Sequence, residues 1–361
     1  MPKTKQEPSV DSLRHAEYYG MQQTYDDLYA KSKNGELFPK LMDIVLSREN
    51  ILLAYRNIKA NSGSNTPGTD RLTIKNIGCL STEEVVDKVR RIVNGKRGYY
   101  PKPVRRKDIP KPNGSTRPLG IPCIWDRLIQ QCVLQILEPI CEAKFFDRSN
   151  GFRPNRSAEN AIAQYYLRIQ TMDLHYVLDV DIKGFFDNVN HGKLLKQMWS
   201  LGIQDKKLLK IISLMLKAEV AGIGFPTKGT PQGGIISPLL SNIVLNELDW
   251  WIASQWEFFP TRYKYNDLCH GAPCKSGMYN ALRKNSTLKE CYIIRYADDF
   301  KILCKKRSDA QKLFIAVKDW LKERLGLDIS PEKSKIVNLK RQYSEFLGFK
   351  IKVVRNGRKK N

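Results

Sequence analysis

The segment Cys291-Tyr-Ile-Ile-Arg-Tyr-Ala-Asp-Asp-Phe-Lys-Ile-Leu-Cys304 sets two adjacent carboxylates between two apolar runs. Each run reads as a buried strand, and Ala-Asp-Asp as the turn of a hairpin between them. An Asp-Asp turn is common by itself, but one set between two buried-type strands is much less ordinary. A second acidic strand is read at Tyr176–Ile182, where Tyr176, Leu178, Val180 and Ile182 face one way and Val177, Asp179 and Asp181 the other. Lys183-Gly-Phe-Phe-Asp187 then breaks the strand at Gly184. If Asp181 meets Asp298 and Asp299, three negative charges converge and cannot all ionise without compensation. Two divalent cations would supply it and would also clamp a phosphate undergoing in-line displacement. Oxygen-only ligands favour Mg²⁺ over zinc.

The rest of the composition says what such a site would act on. The 361 residues carry 61 Lys+Arg against 37 Asp+Glu, a net charge of +24. A compact chain so charged repels itself unless an anionic partner offsets the field, and nucleic acid leads that class. A membrane surface is the rival, but no apolar run of about 18 residues exists to span one. MPKTKQEPSVDS lacks the apolar core of a secretory signal. Eight irregularly spaced cysteines are too few for a disulfide scaffold and read as reduced thiols, which places the chain in a cytoplasm, bacterial before organellar. The hydrophobic share of 42% excludes a disordered or fibrous chain.

The first forty residues read as a polar arm, amphipathic or disordered. Residues 41–60 read as one helix with Leu41, Ile44, Val45, Ile51, Leu52, Tyr55 and Ile58 on its buried face. Another starts at Ser81, with Glu84 completing a capping box and Gly95 ending it. Further helices are expected over Cys123–Cys141, from Ser157, and from Ser237-Pro238, where a cap residue precedes a first-turn proline. Residues 253–290 lack clean periodicity and read as an insertion. The last 31 residues hold ten Lys or Arg against two Glu and end without a folding signal.

Residues 96–117 carry eight cations against Asp108 alone, interleaved with Tyr99, Tyr100 and four prolines. Proline disfavours helix here, and Pro-Asn-Gly at 112–114 supports a tight turn with Lys111 and Arg117 on its flanks. The segment reads either as a solvated loop or as a phosphate-binding hairpin, with Arg105, Arg106 and Lys107 as candidate nucleic-acid contacts. Asn150-Gly-Phe-Arg-Pro-Asn-Arg156 is a turn-rich basic segment that adds Arg153 to them. Cys269-His270 and Cys274 lack a second ligand pair for structural zinc, and no GxxxxGK[ST] element exists.

Tyr296-Ala-Asp-Asp resembles the signature of reverse transcriptases, in the form carried by those encoded in group II introns. The likeness extends over Lys111-Pro-Asn-Gly, Arg117-Pro-Leu-Gly-Ile-Pro, Gly151-Phe-Arg-Pro, Asp181-Ile-Lys-Gly-Phe-Phe-Asp, Gly229-Thr-Pro-Gln-Gly-Gly, Leu325-Gly-Leu, Glu332-Lys-Ser and Phe346-Leu-Gly-Phe, in family order across residues 41–351. The resemblance implies an α+β, right-hand polymerase with an antiparallel palm sheet packed on helices and a helix-rich N-terminal extension. It divides the chain into residues 1–95 (extension and helical fingers), 96–170 (fingers) and 171–361 (palm, with the insertion). It implies two Mg²⁺, replaceable by Mn²⁺, on Asp181, Asp298, Asp299 and the Ile182 carbonyl, and triphosphate contacts from Lys111 and Arg117. Phe186 is implied as a steric gate against the ribose 2′-hydroxyl, Gln232 as a neighbour of the nascent base pair, and Lys333, with Lys335 as competitor, as a proton donor to pyrophosphate. The implied partners are intron RNA, RNA template, DNA primer and dNTPs, with no membrane, and a homodimer is compatible with the sequence. Longer relatives continue past Phe346-Leu-Gly-Phe into a thumb, also called the maturase domain, which is expected to be missing here.

Three alternatives share these residues: a splicing cofactor that binds intron RNA without catalysis, a retron- or defence-type reverse transcriptase, and a two-metal nuclease. The Ala of Tyr-Ala-Asp-Asp and the Gly-Thr-Pro-Gln-Gly-Gly segment favour the intron type.

Overall fold

The computed structural model describes residues 15–96, 98–110, 114, 116–265, 268–269 and 272–354, with backbone alone at 117, 268, 269, 272 and 273. The chain divides into two compact units, each discontinuous in sequence: Met1–Lys144 with Phe186–Leu240, and Phe145–Phe185 with Ser241–Asn361. The expected boundaries at 95 and 170 do not coincide with this division.

The first unit is built around the helix Ile124–Glu142, against which the helices Gln22–Lys33 and Arg48–Ala60 pack. Its burial extends beyond the apolar positions. Asp126, Arg127, Gln130 and Gln135 are buried as well as the apolar positions, so each needs a partner. Asp126 accepts from the Tyr99 hydroxyl at 2.9 Å and the Lys102 N–H at 3.1 Å. Arg127 donates to the carbonyls of Pro122, Gly63 and Thr66, which ties the 61–68 loop to this helix. Burial still pushes the Asp126 carboxyl up to about 6.

The helix expected over 41–60 is two helices, Met42–Val45 and Arg48–Ala60, because the Ser47 hydroxyl accepts from the Asn50 N–H and starts a new helix there. The Ser81–Glu84 capping box forms as read, opening Thr82–Asn94: Glu84 accepts from the Ser81 N–H at 2.7 Å and is thereby held below the usual carboxylate range. The basic segment forms a hairpin, β1 (Arg105–Pro110) antiparallel to β2 (Thr116–Ile121), with Ile109 opposite Arg117. Lys111, between the two strands, lies outside the described residues.

In the second unit, β3 (Tyr176–Val180) is followed by a small hairpin, β4 (Leu268–Cys269) and β5 (Ala272–Pro273). Then come β6 (Cys291–Tyr296), β7 (Asp299–Cys304) and β8 (Lys335–Asn338), and last the hairpin of β9 (Ser344–Phe346) with β10 (Phe349–Ile351). The main sheet is antiparallel in the order β6-β7-β3-β8, and the helices Ala158–Met172 and Arg307–Trp320 pack on it. Its two central strands are buried on both faces, which is why β7 and β3 read as near-continuous apolar runs. Mixed helices with antiparallel sheets fit the α+β expectation. The 253–290 segment, read as lacking periodicity, contains a ten-residue helix, Ser276–Asn285. Cys274 is disulfide-bonded, which corrects the reading of all eight cysteines as thiols, since residue spacing does not display which sulfurs the fold brings together. Among the described residues six cysteines are free, five of them buried. Among the described residues no helix is long and apolar enough to cross a membrane.

Candidate active site

The hairpin between β6 and β7 closes through two residues, Ala297 and Asp298, with Tyr296 opposite Asp299. A two-residue turn of this kind requires positive φ, and Ala297 sits at φ +56° without the freedom of glycine. Something must hold it. The Arg295 side chain, fully buried, folds back to donate to the Ala297 carbonyl at 2.8 Å. The same guanidinium binds Asp249, also fully buried, through Nη2 at 2.7 Å and Nε at 2.9 Å, and the Asn242 amide oxygen at 2.9 Å. Asn242 in turn donates to the Gly151 carbonyl at 2.8 Å. Gly151 packs so closely on the turn that a Cβ there would come within 2.3 Å of the Ala297 nitrogen. The Gly-Phe-Arg-Pro motif is therefore a backing plate for the acidic turn.

That assignment corrects the reading of Arg153 as a nucleic-acid contact. Arg153 is 8% exposed, and its Nη1 donates to the Phe146 and Ser149 carbonyls at 2.8 and 2.7 Å. Its charge serves carbonyls inside the turn, where burial without such partners would be costly.

One polar cavity of about 280 Å³ is lined by Asp179, Val180, Asp181, Asp298, Asp299, Lys301 and Lys333. The three acids expected to converge from residues 181 and 298–299 thus border the same space. Asp181 arrives from the end of β3, where its carbonyl accepts from the Ser330 N–H at 2.8 Å and Ile182 bridges to Ile329. Burial raises the Asp299 carboxyl above its usual range, against the opposing pull of the nearby Lys301 and the Leu347 backbone. Lys333 Nζ stands 3.8 Å from Asp181 Oδ2. Lys335 instead begins β8, opposite Asp179, and does not line the cavity.

Lys301, buried in β7, reaches Asp299 Oδ1 and Asp179 Oδ1 at 3.4 Å each. Sequence patterning singles out neither Lys301 nor the Arg295–Asp249 pair. The available signal was a lone cation in each apolar strand and an acid in an apolar helix, since such groups are buried only with partners.

A second cavity, of about 210 Å³, belongs to the first unit. Phe186, Gln232, Arg106, Leu119, Gly120 and Thr230 are among its walls. Gly120 donates its N–H to the Gln232 carbonyl at 2.6 Å, and Thr230 to the Phe186 carbonyl at 2.7 Å. Gly233, at φ +107°, lies against the Gly120 carbonyl, where a Cβ would clash at 2.4 Å. The glycines of Gly-Thr-Pro-Gln-Gly-Gly thus let backbone meet backbone. Buried His191 bonds the Gly229 carbonyl at 2.7 Å. On β1, Arg106 and Lys107 are exposed and Arg105 is half-buried.

Carboxylate oxygens are hard donors that suit Mg²⁺. In this structure ammonium groups compensate them, and among the described residues no three His, Cys, Asp or Glu side chains already form a metal-ligand cluster. The donor set fits a divalent cation that would displace the lysines rather than enter a finished cage.

Residues 109–351 match the family described as reverse transcriptase (RNA-dependent DNA polymerase). The chain is 34% identical over 356 residues to the group II intron-encoded protein LtrA of Lactococcus lactis subsp. cremoris, covering 89% of this chain and 58% of that protein. It is 31% identical to protein YkfC of Escherichia coli, over 86% of this chain and 82% of that one, and 28% identical to a putative COX1/OXI3 intron 1 protein of Saccharomyces cerevisiae, over 87% and 39%. A telomerase structure from Candida albicans aligns at TM-score 0.47 and 14% identity, over 74% of this chain and 47% of that one. The chain spans a little over half the length of LtrA. By its acidic hairpin, the ordered motifs around it and the family match over residues 109–351, the chain belongs to the reverse transcriptase (RNA-dependent DNA polymerase) family.

Proposed function

We propose that this chain carries the nucleotidyl-transfer centre of an RNA-directed DNA polymerase. The observation that carries the reading is the single cavity shared by Asp181, Asp298 and Asp299. In the proposed architecture the β1–β2 hairpin belongs to the fingers and the β6-β7-β3-β8 sheet is the palm. The primer 3′-hydroxyl oxygen bonds to the α-phosphorus of a dNTP, the bond to the bridging oxygen breaks, and pyrophosphate leaves. Asp181, Asp298 and Asp299, with the Ile182 carbonyl, would hold two Mg²⁺. Bound there, the ions would stabilise the charge of the entering and leaving oxygens. Lys333, its side chain 69% exposed beside Asp181, is proposed to hold a proton for the leaving pyrophosphate. Lys111 and Arg117 are proposed to contact the triphosphate, and Gln232 the nascent pair. The test is primer extension on poly(rA)/oligo(dT) with Mg²⁺, and no synthesis would overturn the reading.

Phe186, on the wall of the first unit's cavity, is proposed as the sugar gate. Phe186→Ala should raise ribonucleotide incorporation relative to deoxyribonucleotide by at least tenfold, the scale at which a filled apolar contact discriminates. Unchanged sugar discrimination would remove the gate.

A second role, binding of structured intron RNA in support of splicing, is favoured by the net charge of +24 and the exposed cations of β1. Charge reversal at Arg105, Arg106 and Lys107 should weaken RNA binding. It should also flatten the dependence of log K on log salt by roughly 0.7–0.9 for each phosphate no longer neutralised. A salt slope equal to that of the unaltered protein would remove these residues from the interface.

A further inference from the structure

We propose that Asp179, which has no part in the metal site proposed for Asp181, Asp298 and Asp299, is a positioning residue: through Lys301 it sets the charge that Asp299 presents to a divalent cation. The inference rests on the proposed metal function of Asp299. Lys301 Nζ lies midway between two carboxylates, 3.4 Å from Asp179 and 3.4 Å from Asp299. The two acids are not equivalent. Asp179 and Lys301 are each 7% exposed at the side chain, whereas Asp299 is 41% exposed. Asp179 is also fixed, because the buried Ser344 hydroxyl donates to its Oδ1 at 2.9 Å.

The strands dictate this arrangement. Asp179 and Lys301 are direct partners in the β3–β7 register, so their side chains leave the sheet on one face. Strand β9 closes that face, sending Ser344 to Asp179 and Phe346 to Lys301, whose Nζ stands 5.5 Å from the ring centroid. Lys301 is two residues after Asp299 and therefore shares its face. A lysine so placed would by itself compete with a metal ion for Asp299. Asp179 offers it a second, immobile counter-charge on the side away from solvent. Asp299 is then held in place while much of its negative charge stays available to a cation.

The inference is tested by titrating the full chain with Mn²⁺, without nucleotide or nucleic acid, and reading free Mn²⁺ by electron paramagnetic resonance. Asp179→Asn leaves Lys301 to pair with Asp299 alone and should weaken Mn²⁺ binding about tenfold, the scale of one uncompensated unit charge a few ångströms away at high effective dielectric. The double variant Asp179→Asn/Lys301→Met removes that charge and should restore affinity to within about threefold of the unaltered protein. A pair that merely holds the sheet together would make the double variant at least as weak as the single one. That result, or a single variant with unchanged affinity, would overturn the inference while the metal site stands. An unaltered protein that binds no Mn²⁺ would overturn the metal reading and the inference together. Thermal unfolding of each metal-free variant separates lost affinity from lost fold: weakening that tracks unfolding at the titration temperature counts against the inference.

Discussion

Replacing Asp298 and Asp299 together by alanine should cut primer extension by about 10³-fold or more and leave RNA affinity within about twofold. Removing a single preorganised electrostatic contact to a developing charge typically costs about 10² to 10³ in rate. Here two of the three carboxylates proposed to hold metal would go at once. The same substitution removes two negative charges from a chain of net charge +24, so affinity for an anionic polymer has no electrostatic reason to fall. Extension rates and RNA binding measured on one preparation check both halves. Loss of RNA binding alongside synthesis would show that the acidic turn also organises the RNA-binding surface, contrary to the proposed separation of roles.

The second large effect belongs to a residue remote from any reacting group. Asp249→Ala should destabilise the second unit by roughly 3–5 kcal/mol, the cost of leaving one member of a buried pair uncompensated. Arg295 and Asp249 are both fully buried, so solvent cannot replace the lost carboxylate. Lowered midpoints in thermal or denaturant unfolding would show it. A gentler change makes the functional point. Asp249→Asn keeps the shape and an acceptor oxygen but removes the charge, so the guanidinium that holds the Ala297 carbonyl is less firmly placed. Polymerisation should then fall more steeply than stability, because Ala297 adopts a backbone conformation that alanine does not favour unaided. An Asp249→Asn protein with full activity would mean that the turn keeps its shape without the pair.

Much of the local structure was legible from residues alone. Ser81 with Glu84 starts a helix because hydroxyl and carboxylate satisfy backbone donors that the helix leaves open, and the helix read from Ser157 is capped there by the Ser157 hydroxyl. The β6–β7 hairpin was legible because two apolar runs flank a short polar turn. The helix Ile124–Glu142 was harder. It is enclosed by other helices and by a loop tied to Arg127, and polar residues satisfied by distant partners look solvent-exposed in a sequence. Arg153 misled for the same reason, since an arginine facing phosphate and one facing buried carbonyls are written with the same letter.

The sequence by itself determined that carboxylates lie in segments too apolar to be left in water, and so that some cation must meet them. That follows from local alternation and the cost of burying charge. Only the tertiary structure decided which cations those are: Lys301 of β7 for Asp299 and Asp179, Lys333 for Asp181, and Arg295 reaching Asp249 across 46 residues of chain. Strand register and helix packing choose such partners, and both are settled by the burial of the whole core rather than by any short stretch of residues.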